Sequence, residues 1–163
     1  DGFKEAERLI PEYGDLHSTL GIVHMKLNKF PEAEAAYRKA IAVDPEDYSG
    51  HYNLGVCLFK QAKYDAAIES LKKAAAIDPT MEPALTNLGV AYLKKDLNDP
   101  AREALEKAAA ADPESSAAHY NLGIALERLD RKRDAEREYK ETLKLDPKHA
   151  DAQEGLGRVK GKK

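Results

Sequence analysis

The dipeptide Leu-Gly stands at Leu20-Gly21, Leu54-Gly55, Leu88-Gly89, Leu122-Gly123 and Leu156-Gly157, each pair 34 residues after the last. Prolines keep the same step at Pro11, Pro45, Pro79, Pro113 and Pro147, and the last four follow Asp44, Asp78, Asp112 and Asp146. Two independent marks with one period restrict the fold to a stack of like units. A unit of this length cannot bury its own apolar face and must lean on its neighbours. Function is then to be sought on a continuous surface and not in a single central pocket.

Each period carries two apolar stripes at helical spacing. In one of them Tyr52, Leu54, Val56, Leu58 and Phe59 precede a polar break at Gln61 to Lys63, after which Tyr64, Ala67, Ile68, Leu71, Ala74 and Ala75 recur at three- and four-residue steps. The unit therefore reads as helix, turn, helix. Proline is excluded from a helix interior, so each Asp-Pro places a turn between the second helix of one unit and the first of the next. Gly21, Gly55, Gly89 and Gly123 in the first helices are expected to face Ala33, Ala67, Ala101 and Ala135 in the second and to let the backbones approach. A mid-helix glycine costs about 1 kcal/mol relative to alanine, and its repetition calls for such a packing reason.

The run Leu88-Gly89 to Tyr92, followed by Ala101, Leu105, Ala108 and Pro113, resembles the tetratricopeptide repeat, a 34-residue helical hairpin. The resemblance implies an all-α right-handed superhelix. It assigns residues 1–13 to the second helix of a truncated repeat, where Phe3, Ala6 and Pro11 take the places of Tyr37, Ala40 and Pro45. Full repeats follow at 14–47, 48–81, 82–115 and 116–149, with a capping helix and tail at 150–163. Gly155, Gly157 and Gly161 make that cap a weak one. Where the family usually has Trp the chain has His17, His51, Leu85 and His119, and it contains no Trp. Thr142 stands where Ala40, Ala74 and Ala108 stand elsewhere, which predicts a slightly looser junction.

Charge and cysteine content narrow the function classes. Charged residues make up 34% of the 163, both signs are interspersed and the formal net charge is -3, which gives no global attraction to nucleic acid or anionic membranes. No apolar run approaches the length of a membrane span and no signal-peptide pattern opens the chain, so it reads as soluble. The single cysteine, Cys57, excludes an intramolecular disulfide. It is compatible with cytoplasm or periplasm, of which the cytoplasm is favoured.

Catalytic and metal signatures are missing from the sequence. Equivalent histidines of stacked units stand on the order of 10 Å apart, too far to share a zinc ion whose nitrogens lie about 2 Å from the metal. His17, His51 and His119 are expected to replace Trp as half-buried rings. There is no glycine-rich phosphate loop, nucleophile elbow or His-Glu-x-x-His, and no cofactor is expected. The aspartates before the turn prolines are read as turn and capping residues.

Binding signals lie on the first helices. Asn53, Asn87 and Asn121 precede the Leu-Gly pairs, and Val56, Val90 and Ile124 follow them. An asparagine amide offers donor and acceptor together, so a ladder of three suits the backbone of an extended peptide. The aliphatic row would meet apolar side chains, and Tyr52 and Tyr120 are candidate aromatic anchors. Lys60, Lys94 and Arg128, with Lys26 before them, form a basic row that either complements the helix dipole or rims the groove for an acidic partner. In the family, the first helices line the concave face. The resemblance does not extend to the clamp that holds chaperone C-termini, because Pro83, Ala117, Tyr52 and Val56 fill its basic places. The row is similar to the asparagine ladder of protein O-glycosyltransferases.

The sequence thus points to a non-catalytic scaffold that binds a peptide segment or partner helix in its groove. One alternative is a self-assembling scaffold joined through exposed repeat ends, as resemblance to bacterial organelle proteins such as that of the magnetosome implies. Another, raised by a start at Asp1 in mid-repeat, is the recognition arm of a larger enzyme.

Overall fold

A computed structural model describes residues 14–161; the expected helix at 1–13, with Phe3, Ala6 and Pro11, lies outside the described residues. The described chain is helical throughout, without a strand. It divides into two compact units, Asp1–Asp78 and Pro79–Lys163. The first holds α1 (Gly14–Lys26), α2 (Phe30–Val43), α3 (Tyr48–Lys60) and α4 (Tyr64–Ile77). The second holds α5 (Glu82–Lys94), α6 (Asn98–Ala111), α7 (Ser116–Arg128), α8 (Lys132–Leu145) and α9 (Ala150–Lys160).

Within each unit successive helices pack against one another. The elbow inside each hairpin is the same Schellman turn four times over. Lys63 N donates to Leu58 O at 3.0 Å and Ala62 N to Phe59 O at 2.9 Å, with Ala62 in the left-handed region at φ 58°. Asn28, Asp96 and Asp130 hold the same conformation, and the amides of Lys29, Leu97 and Arg131 repeat the long bond. Between hairpins the aspartates act locally: Glu46 N, Glu114 N and Lys148 N each donate to the carboxylate of the aspartate two residues earlier, Asp44, Asp112 and Asp146. Asp47 and Ser115 then cap α3 and α7 through Ser49 N, Gly50 N and Ala118 N.

In the first unit the core gathers Ala33, Tyr37, Leu54, Cys57, Leu58 and Ala67. The Cys57 thiol donates to Phe30 O at 3.3 Å, and burial pushes its pKa up. In the second unit Leu105, Leu122, Leu126, Tyr139 and Val159 form the core.

The repeated glycines do make close approaches, but their opposite numbers are larger than expected. A Cβ on Gly55 would lie 2.6 Å from Leu71 Cγ, and on Gly123 2.7 Å from the Tyr139 ring; Gly21 and Gly89 are covered in the same way by Tyr37 and Leu105. Ala33, Ala67, Ala101 and Ala135 are buried one turn earlier. The second helix thus fills the notch with a bulky side chain instead of matching it with a small one.

The closing helix is not weak for want of side chains. Gly155 meets the other side of Tyr139, where a Cβ would come within 2.6 Å of the ring. Arg158 forks onto Glu127 of α7 at 2.8 and 3.0 Å, and the Tyr139 hydroxyl donates to the same carboxylate at 2.6 Å. Arg158 first of all holds the Glu127 carboxyl below its ordinary range, while burial and then Glu127 raise the Tyr139 phenol. Gly157 has open space beside it and Gly161, at φ 72°, ends the helix. Thr142 is fully buried, and its hydroxyl donates to Glu138 O at 3.0 Å, so the hydroxyl introduced there is satisfied.

Candidate peptide-binding face

The first helices of each hairpin present the candidate residues in register. In the first unit α1 packs on α3, and the period sets Thr19, Ile22 and Lys26 at the register places of Asn53, Val56 and Lys60. In the second, α5 packs on α7, so the positions of Asn87, Val90 and Lys94 run alongside those of Asn121, Ile124 and Arg128. Asn53, Asn87, Asn121, Val56, Val90 and Ile124 are all half-buried, and Lys60 and Lys94 are exposed.

Several of the candidates, Asn87 and Tyr52 among them, carry internal engagements that the sequence did not disclose. The Asn121 amide donates to Ala117 O one turn back on its own helix at 2.8 Å. Tyr120 sits between neighbours, 4.5 Å from the His149 ring and 6.1 Å from that of Tyr139. Burial first of all raises its phenol pKa. Arg128 reaches back to the preceding hairpin, donating to Leu93 O at 2.8 Å and to Asp96 at 3.1 Å. Leu93 is in the last turn of α5 and its carbonyl already accepts from Asp96 N in the elbow at 3.2 Å, so Arg128 adds a second, charge-assisted donor there. Arg128 thus binds the C-terminal end of the neighbouring helix. Tyr52 stands half-buried on α3 with interactions of its own.

The histidines at the Trp positions show a second arrangement. His51 Nε2 lies 3.0 Å from Pro45 O, and His119 Nε2 lies 3.2 Å from Pro113 O. A carbonyl only accepts, so each ring donates through Nε2 and pins the turn before its own helix. His119 Nδ1 also meets Glu138 Oε2 at 2.8 Å. Periodicity located these residues and the prolines they contact, but gave no sign of Glu138, whose counterpart in the repeat of His51 is Ser70. Among the described residues no three His, Cys, Asp or Glu gather as a metal-ligand set. No helix among them is long and apolar enough to cross a membrane.

Sequence profiles described as tetratricopeptide repeats match residues 18–82, 58–122 and 116–149. No curated protein sequence matches the chain. Among solved structures, that of MamA protein is similar with a TM-score of 0.86 at 27% identity, over 92% of this chain and 82% of that one. YrrB, described as a TPR protein with an unusual peptide-binding site, gives 0.84 at 21% identity over 98% and 82%. PilF of Pseudomonas aeruginosa gives 0.80 at 22% identity over 90% and 67%. At such identities the last two likenesses speak for the fold alone.

Proposed function

The chain belongs to the tetratricopeptide repeat family, and from that premise we propose that it is a non-catalytic interaction scaffold whose first helices take a segment of another protein. The observation that carries this reading is the register of neighbouring first helices. Side by side in the second unit, α5 and α7 offer the same sequence of amide, aliphatic and cationic positions, and α3 offers it again in the first. Asn53, Asn87 and Asn121 would hold the partner's backbone, Val56, Val90 and Ile124 its apolar side chains, and Lys60 and Lys94 its acidic ones. Tyr52 would anchor the segment. Tyr120 and Arg128, already engaged, would shape the end of the face more than grip the partner. YrrB supports the reading to the extent that the same fold carries a peptide site there.

Self-assembly through exposed repeat ends, as the resemblance to bacterial organelle scaffolds implies, is the second reading, and the likeness to MamA at 27% identity is consistent with it. One experiment separates the two: partner titration of the wild type and of the triple variant Asn53→Ala, Asn87→Ala, Asn121→Ala, with sedimentation of the same samples. The groove reading expects at least a tenfold loss of partner affinity, about 1.4 kcal/mol, with unchanged sedimentation. Unaltered affinity would overturn it, and concentration-dependent assembly in both proteins would favour the second reading.

A further inference from the structure

We propose that a pocket in the first unit, separate from every residue assigned to the groove, is a receptor for a carboxylate on a short flexible stem, such as a glutamate side chain of a partner protein. The cavity measures about 400 Å³ and lies between α2, α3 and α4. His51 and Ser70, both buried, line it beside an apolar floor of Leu54 and Leu58. Arg38, Lys73 and Glu69 stand around it with exposed side chains.

The repeat itself shows what this place is shaped to hold. Two repeats later His51 becomes His119 and Ser70 becomes Glu138, and there the Glu138 carboxylate lies 2.8 Å from His119 Nδ1, with Arg137 Nε at 3.0 Å on its other oxygen. The imidazole is oriented alike in both, because Nε2 donates to a proline carbonyl, Pro45 O in one and Pro113 O in the other. His51 therefore keeps its turn contact while the residue facing its ring has shrunk from glutamate to serine. In the intervening repeat both places are apolar, Leu85 and Ala104, and both are buried. One frame thus occurs closed by hydrocarbon, closed by its own carboxylate, and open.

The charges around the open version complete the argument. Arg38 and Lys73 occupy the places that Glu106 and Glu141 hold around the closed version, and Glu69 takes the place of Arg137. The repeat that brings its own carboxylate surrounds it with two acids and one base; the repeat that lacks one has two bases and one acid. Arg38 is steadied by Glu34 at 2.9 Å, and Glu69 leans toward Lys72 at 3.9 Å, away from a dedicated bond with Lys73. A carboxylate entering here would meet the Ser70 hydroxyl, the Lys73 ammonium and, with Nδ1 protonated while Nε2 donates to Pro45 O, the His51 imidazolium, a charge-assisted set in a partly desolvated site.

The test is an NMR titration of ring-labelled histidine, following His51 Nδ1. The probes are glutarate, a blocked pentapeptide with a central glutamate between alanines, and the same peptide with glutamine. Saturable shifts of His51 with glutarate and the glutamate peptide, but not the glutamine peptide, are expected. Ser70→Glu should supply the missing carboxylate from within and abolish the response while the protein stays folded. Lys73→Glu, at an exposed position, should weaken binding about twofold to fivefold. A response to glutarate alone would support the site and assign it to free dicarboxylates. No saturable shift in the wild type, an equal response to the glutamine peptide, or an undiminished response in Ser70→Glu would overturn the proposal.

Discussion

Ala62 holds φ 58° at the elbow between α3 and α4, a conformation that Asn28, Asp96 and Asp130 occupy at the other three elbows. Asparagine and aspartate enter the left-handed region with help from their short polar side chains, whereas alanine has only the steric cost. Ala62→Gly is accordingly expected to stabilise the protein by about 1 kcal/mol, read as a rise in the midpoint of chemical denaturation with an unchanged slope. The sequence placed a turn at Gln61 to Lys63 but did not reveal its type. Ala62 lacks the short polar side chain of Asn28, Asp96 and Asp130; what all four share is a backbone angle, which only their spacing betrays. Glu138, the Nδ1 partner of His119, was hidden because its counterparts are Ser70 and Ala104, so no period announces it.

Helix packing was legible in outline and mistaken in one detail that matters. The glycines of α1, α3, α5 and α7 do mark close approach, yet the groups they admit are Tyr37, Leu71, Leu105 and Tyr139 and not the alanines one turn earlier. Small residues on both sides suggested backbone contact, and at Gly55 the Leu71 backbone N does lie 3.3 Å from the Cβ position, but it is a bulky side chain that fills each notch. Tyr139 shows the consequence, because Gly123 and Gly155 flank it from α7 and α9. Gly155 falls at the register place of Asn53, Asn87 and Asn121, and the second-helix counterpart of Tyr139 one repeat earlier is Leu105. Gly155→Asn should therefore destabilise the protein by about 1–3 kcal/mol through overpacking. Combined with Tyr139→Leu it should cost measurably less than the sum of the two single changes. Additive losses in a thermal or denaturant cycle would contradict the sandwich.

At the scale of the molecule, the 34-residue period was enough to predict an all-α repeat chain, and the family follows from it. The period could not say where the repeats part company. Glu34 illustrates this: it gathers Lys63, Gln61 and Arg38 at 2.9 Å each, tying α2 to the elbow of the next hairpin. Lys63 above all holds its carboxyl at about 2 against an ordinary 4.5. A carboxyl whose folded pKa is depressed contributes stability that is complete above its unfolded value and disappears as pH falls through its folded one. Stability should thus decline between pH 4.5 and about 2, and Glu34→Gln should flatten that part of the profile in equilibrium unfolding measured against pH.

The four Schellman elbows bear on how such a chain opens. Lys29, Lys63, Leu97 and Arg131 are all exposed, yet each directs its amide to a carbonyl inside the preceding helix. In deuterated solvent these amides should exchange at the pace of the hairpin that contains them, not at the pace of a loop. They are four equivalent clocks, one per hairpin. Four equal rates would mean that the described chain opens as a whole, and a graded series would give the order in which its hairpins let go.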